Sequence, residues 1–370
     1  MKKSLLALAV LGAFAGVASA QSSVTLFGVV DVNARFVNND SVKQYQMNQD
    51  GINSSRLGFR GVEDLGGGMT AGFWLEGSLS PQNGTSSGQQ WRRRSTVSLN
   101  GKFGEFRFGR DYTSTFWNST IFDPFGTNGV GSAGNLVFIL GACTPGLTGS
   151  SSSCLNLPTG TGYGTAVRAD NIFGYFLPSG IAGGLYGQFQ VAPGQNTPGN
   201  KYMGGRLGYA AGPFNVAGAW GRTQVTVGQV GPIGADQSGT TWNLGASWDF
   251  KFMALSGYWG STDIGDASQD NWFIAAQAPL GAWTLKTSYG QMDRSGNAFG
   301  TNVEGQKANQ WALGAVYDMS KRTALYGTWA GINNKGGNRY IVAPLIRIDL
   351  GGAVANGNSQ GLEFGIRHSF

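Results

Sequence analysis

The sequence predicts an all-β fold, a sixteen-stranded antiparallel transmembrane β-barrel. Three observations lead there. Seven short turn segments alternate with long polar connections along the chain. The runs between them are rich in aromatic and β-branched residues, and the first and last alternate apolar and polar side chains at the two-residue period of a strand. Beyond the N-terminal segment, no stretch offers the ~20 apolar residues of a membrane-spanning helix. A chain that crosses lipid without helices must close its sheet, because an open edge would leave backbone N–H and C=O groups unpaired in hydrocarbon.

The chain opens with Met1-Lys2-Lys3, an apolar run from Leu5 to Val17 and the small residues Ala18-Ser19-Ala20. This pattern is that of a secretory signal peptide over residues 1–20, so that the mature barrel occupies 21–370 and begins at Gln21. Strand 1 follows at once, from Val24 to Phe36. Val24, Leu26, Gly28, Val30, Val32, Ala34 and Phe36 share one face, Asp31, Asn33 and Arg35 the other. The first set suits lipid and the second suits water.

The short turns are Glu63 to Gly68, Asn100 to Gly104, Leu177 to Gly180, Ala211 to Pro213, Asp249 to Lys251, Pro279 to Gly281 and Asp318 to Lys321. Each joins two strand-like runs as a hairpin does. Between them lie longer segments such as Asn38 to Ile52, Val225 to Ser238 and Asn333 to Gln360. Seven hairpins and the two terminal strands make sixteen. Short turns on one side and long loops on the other are the habit of outer-membrane barrels, and an even count lets the first strand pair with the last. The last strand runs from Gly361 to Phe370. Leu362, Phe364, Ile366, His368 and Phe370 fall on one face, Glu363, Gly365, Arg367 and Ser369 on the other. Trp and Tyr recur near strand ends, as aromatic girdles at the two membrane interfaces require.

Composition narrows the function. Glycine accounts for 62 of 370 residues, far above the usual ~7%, without a collagen period. The net charge of +6 falls by two when Lys2 and Lys3 leave, too small and dispersed for a nucleic-acid binder. The sole histidine, His368, is assigned to the lipid side. A serine hydrolase therefore lacks its usual base, and no zinc ligand set, phosphate loop or nucleotide fingerprint is present. The chain reads as neither an enzyme nor a cofactor or metal binder. Cys143 and Cys154 flank a Gly/Ser-rich segment, and export to an oxidising compartment predicts a disulfide between them.

One connection is far longer than the rest, from Tyr112 to about Thr165. A loop of that length in a compact domain is functional or mobile. Folded inward, it would narrow the wide lumen of a sixteen-stranded barrel. Phe116, Trp117, Phe122 and Phe125 lie near its start and leave open a substrate-specific channel for anionic or sugar solutes.

Several segments carry a resemblance. Ser55 to Gly68, Arg93 to Leu99 and Phe103 to Arg110 resemble the Gram-negative general porins, and Gly365 to Phe370 is similar to the porins of β-proteobacteria in particular. The resemblance implies an outer-membrane homotrimer that passes small ions and hydrophilic solutes by diffusion. It also implies a third loop folded into the lumen as a constriction, and a terminal Phe370 read by the barrel-assembly machinery. It places Arg56, Arg93 and Arg168 in a basic cluster on the barrel wall, Asp123 on the loop and Glu76 on the wall as constriction acids. Parity independently sends Arg56, Trp74 and Glu76 inward. On strand 4 parity favours Arg94 and the resemblance Arg93, so both are candidates. Excess arginine across a narrow gap predicts anion selectivity.

Overall fold

The computed structural model describes residues 23–40, 42–85, 90–137, 165–196, 201–225, 237–298, 301–342 and 354–370. The proposed leader, Cys143 and Cys154 lie outside these residues. One antiparallel sheet contains β1 (Ser23–Asn38), β2 (Lys43–Asn48), β3 (Arg56–Gly66), β4 (Met69–Ser78), β5 (Arg94–Gly101), β6 (Gly104–Tyr112), β7 (Arg168–Phe176), β8 (Leu185–Ala192) and β9 (Tyr202–Ala211). It continues through β10 (Phe214–Val225), β11 (Gln237–Asp249), β12 (Ala254–Ile264), β13 (Asp266–Leu280), β14 (Trp283–Ala298), β15 (Thr301–Asn302), β16 (Gln306–Asp318), β17 (Thr323–Lys335) and β18 (Asn358–Ser369).

Two of these are fragments. Both β2 and β3 pair with β1, and both β15 and β16 pair with β14, so each couple is one interrupted strand. Sixteen strand positions remain. The sheet closes where β1 meets β18, with Val29 opposite Ser369 and Asn38 opposite Gln360. Phe370 completes the seam by exchanging backbone hydrogen bonds with Gly28, both at 3.1 Å. No free edge is left along this ladder to recruit another chain.

Each of the seven short segments joins neighbouring strands, as expected. The opposite side holds the long connections, with one exception. Ile264 passes to Asp266 through Gly265 alone, whose φ of +60° suits a residue without a Cβ.

The faces are inverted relative to a soluble protein. Outward positions carry Leu244, Leu255, Ile274, Leu313 and Phe364, all exposed. Inward positions carry buried polar side chains such as Asn243, Gln269, Asn271, Gln310 and Thr328. Aromatic residues gather in two outward belts. One holds Trp220, Trp242, Trp259, Trp272, Tyr289, Trp311 and Trp329, with the Trp242–Trp259 and Trp311–Trp329 rings 4.1 and 4.6 Å apart. The other holds Trp248, Trp283 and Tyr317 near the short turns, with Trp283 and Tyr317 4.8 Å apart. Trp242 to Trp248, Trp283 to Tyr289 and Trp311 to Tyr317 each span six residues. That is roughly 20 Å of strand, close to the height of an outer-membrane apolar band once tilt is allowed for.

Candidate functional site

After β6 the chain leaves the wall and forms α1 (Ser114–Phe122) and the short α2 (Gly134–Val137). Both pack on inward-facing residues. Ser114 Oγ donates to Gln190 Oε1 at 2.8 Å, and Asn118 Nδ2 donates to Asn243 Oδ1 at 2.7 Å and to the Ala217 carbonyl at 2.9 Å. Phe122 lies in the space left by Gly245, where a Cβ would enter its ring. Phe125 lies against Gly131 and Gly314 in the same way. Further along, Gln310 Nε2 donates to the Ser132 carbonyl at 2.9 Å and Gln269 Nε2 to the Leu136 carbonyl at 2.8 Å. The stretch 113–137 of the long loop therefore runs along the inner wall from β8 round to β18. Of the loop aromatics, Phe122 and Phe125 fasten it to the wall, and Phe116 stacks on Tyr112 with ring centroids 5.1 Å apart.

Three arginines meet at one carboxylate and one phenol. Arg93 Nε donates to Glu76 Oε1 at 2.6 Å, and Arg56 Nε stands 3.8 Å from the same oxygen. Trp74 Nε1 donates to Glu76 Oε2 at 3.1 Å. The Tyr112 hydroxyl oxygen accepts from Arg93 at 3.0 Å and from Arg168 at 2.7 Å. Arg168 also lies over the Tyr112 ring, 4.3 Å from its centroid. So β3, β4, the approach to β5, the end of β6 and the start of β7 bring together Arg56, Glu76, Arg93, Tyr112 and Arg168.

Arg94 joins the inner wall as well. Val97 and Leu99 face out, so strand parity turns Arg94 inward, where it lies 4.6 Å from the Trp74 ring centroid and 3.9 Å from Asp111. Arg93 precedes the first residue of β5, and parity does not govern it. Both readings of this arginine pair therefore describe the inner wall. Asp111 is itself held by Arg107 at 2.6 Å, and Arg107 also grips Glu105 at 2.7 Å.

Asp123 differs from the expected loop acid. It is buried, and its oxygens accept the backbone N–H groups of Phe125, Thr127 and Ala133 at 2.9, 3.0 and 3.0 Å. The cation that acts on it is Lys286 rather than the arginine cluster. Burial outweighs these favourable contacts and pushes its carboxyl up to about 6. Asp123 organises the loop instead of facing the arginines across a gap.

Two groups of buried ionic residues were not expected. Arg35 Nε donates to Glu363 Oε2 at 2.8 Å and its Nη2 to Asp50 Oδ1 at 3.0 Å. Glu363 Oε1 in turn accepts the Val130 backbone N–H at 3.3 Å. Asp31 accepts the N–H groups of Gly51, Ile52 and Asn53 and the Tyr326 hydroxyl. Ser54 Oγ donates to Asn128 Oδ1 at 2.7 Å, so the 49–55 excursion meets the tip of the long loop. His368 faces outward beside Thr323, with Nδ1 2.9 Å from its Oγ1. Among the described residues no cluster of His, Cys, Asp and Glu is arranged to hold a metal.

Known proteins show what this arrangement is similar to. The family described as Gram-negative porin matches residues 7–337. Outer membrane porin protein 32 of Delftia acidovorans is 37% identical over the whole of both chains. An outer membrane porin protein of Bordetella pertussis is 29% identical, covering 90% of this chain and 86% of its own. Among solved structures, the anion-selective porin from Comamonas acidovorans superposes with a TM-score of 0.77 at 34% identity, covering 94% of this chain and 100% of its own.

Proposed function

This chain belongs to the Gram-negative porins, outer-membrane diffusion channels, and on that premise we propose that its pore prefers anions. The observation that carries the reading is the inward cluster in which Arg56 and Arg93 share a single carboxylate, Glu76, while Arg168 is held beside them only by the neutral Tyr112 hydroxyl. Arginine stays charged at every relevant pH, so the excess of positive charge is permanent. Low-dielectric walls focus that field on a passing ion, concentrating anions and resisting cations. Arg94 adds to the same wall. The loop segment 113–137 opposite narrows the passage and acts as the constriction, fastened by Asp123, Phe122 and Phe125. Reversal potentials in planar bilayers under a salt gradient test this. A cation preference in the parent protein would overturn the charge reading and leave the pore itself intact.

The outer face supports a trimeric assembly. The aromatic belts thin out over β1, β3, β4 and β5, whose outward positions include Gly28, Gly61, Ala71, Gly77 and Ser95, with Tyr45 and Trp91 left at the rim against Phe36 and Phe59. Small residues allow close approach of a second barrel, and the sparser Trp and Tyr support an arc turned away from lipid. We assign this arc to the contact of a homotrimer, with the belted arc facing outer-membrane lipid. Crosslinking of detergent-purified protein tests the stoichiometry. Phe370, at the end of the closing strand, is the proposed signal to the barrel-assembly machinery. Residues 1–20 are the proposed export leader, and Cys143–Cys154 the proposed disulfide of the long loop.

A further inference from the structure

We propose that the lumen holds a second solute site, a cavity on the short-turn side of α1 that binds small carboxylates carrying an apolar body. The proposal goes beyond the arginine cluster and rests on the reading of the chain as a diffusion channel.

The cavity has a volume of about 260 Å³ and lies between the end of α1 and the wall formed by β11 to β14. Ile121 and Pro124 line its loop side, and Ser247, Ser256, Gln277 and Lys286 line its wall side. These wall residues lie close to the short turns after β11 and β13, away from the long loops. The volume is below the roughly 300–1,000 Å³ of drug-sized ligand sites, which limits the occupant to a small acid.

Three features select the ligand class. The first is the cation. Lys286 points inward on β14, opposite Gln277 of β13 and Gly314 of β16. Its Nζ lies 6.0 Å from the centroid of Phe125, and no carboxylate among the described residues makes an ion pair with it. Asp123 also lines the cavity and attracts Lys286 without an ion pair, but its oxygens are committed to three backbone N–H groups. The ammonium therefore has donor capacity to spare for a ligand oxygen.

The second feature is apolar surface. Ile121 is 42% exposed on a helix that buries Phe116 and Phe122 and half-buries Trp117. It borders the cavity with Pro124, and a hydrocarbon body would cover both. The third is the polar trim, the hydroxyls of Ser247 and Ser256 and the amide of Gln277, which can donate to a second carboxylate oxygen. One ammonium suits a monoanion. Inorganic phosphate or sulfate would gain nothing from Ile121 and Pro124. An anion drawn in by the arginines would meet this site on its way to the turn side of the barrel.

The test uses the intact protein in planar bilayers with benzoate added to the turn-side chamber. Benzoate should reduce the current in a concentration-dependent way, whereas acetate, with the same charge and little hydrocarbon, should not at equal concentration. Losing a charged hydrogen-bond donor should raise the half-blocking concentration of benzoate at least about tenfold in Lys286→Gln, while Lys286→Arg shifts it by less than about threefold. Ile121→Asn, which keeps the cation, should raise it by about threefold or more through lost apolar contact. Unchanged block in Lys286→Gln, or equal block by acetate and benzoate, would overturn the site. If Lys286→Gln does not insert, Ile121→Asn carries the test, and parental block there overturns the proposal. An anion-preferring pore that benzoate never blocks sinks only this site, whereas a pore with no anion preference sinks the parent reading.

Discussion

Two regions of the inner wall are built from the same charged residue types and come out opposite. At β3 to β7, three arginines share one carboxylate and a phenol, and the surplus positive charge stays beside the passage. Under the loop tip, a single arginine, Arg35, serves two carboxylates, Glu363 and Asp50. The side chains of Arg35 and Glu363 are fully sealed from solvent there, and Glu363 also holds the Val130 N–H. The ratio of cations to carboxylates and the access of water decide whether an arginine acts as a source of field or as a clamp. Solvated charge shapes what passes. Sealed charge fixes the loop.

The largest effect should come from the clamp. Arg35→Ala leaves two carboxylates without their cation, and breaking a buried pair costs about 3–5 kcal/mol. Denaturant unfolding of the protein in detergent should show it, together with easier proteolysis near Val130. The double variant Arg35→Met with Glu363→Gln should recover a large part of the loss, because it removes the fully buried carboxylate and leaves only the partly exposed Asp50 without its cation. A double variant as unstable as Arg35→Ala would break the comparison.

The second effect is a pH dependence fixed by Asp123. Its folded value of about 6 lies above its ordinary 3.8, so between these limits the folded chain holds a proton that the unfolded chain releases. Stability conferred by that proton is fully present below the ordinary value and lost as pH rises through 6, by up to about 3 kcal/mol. Unfolding followed from pH 4 to 7 should show this slope, and Asp123→Asn should reduce it whatever its absolute stability. The smallest stability change, below about 1 kcal/mol, belongs to Arg56→Ala, where the ion pair is long and partly wet. Selectivity tells the other half. Replacing Arg56, Arg93 and Arg168 together by Ala should shift the reversal potential toward cations, since Glu76 would lose both of its ion-pair partners.

The fold was legible because a two-solvent barrel writes its pattern into every strand. Parity placed Asp31, Asn33 and Arg35 inward on β1, and the seven short turns counted the hairpins. Parity was silent where the chain leaves the ladder. Arg93 lies one residue before β5, and Asp123 lies in a turn whose N–H groups capture it, so neither direction was readable from alternation. Tyr112 entered the sequence argument only as the edge of the long loop, although it joins Arg93 to Arg168. The clamp was within reach. Once β1 is closed on the last strand, register alone sets Arg35 opposite Glu363. Asp50 and Val130 join that pair through loops, whose paths no periodicity encodes.

The partner of Val130 lies 233 residues downstream, on the strand that seals the cylinder. Contacts so distant in sequence are slow to form. This one hold on the loop needs β18 in place beside β1, whereas the holds at β8, β11, β13 and β16 need no closed seam. One glutamate thus ties the seat of the loop to the seam that shuts the cylinder.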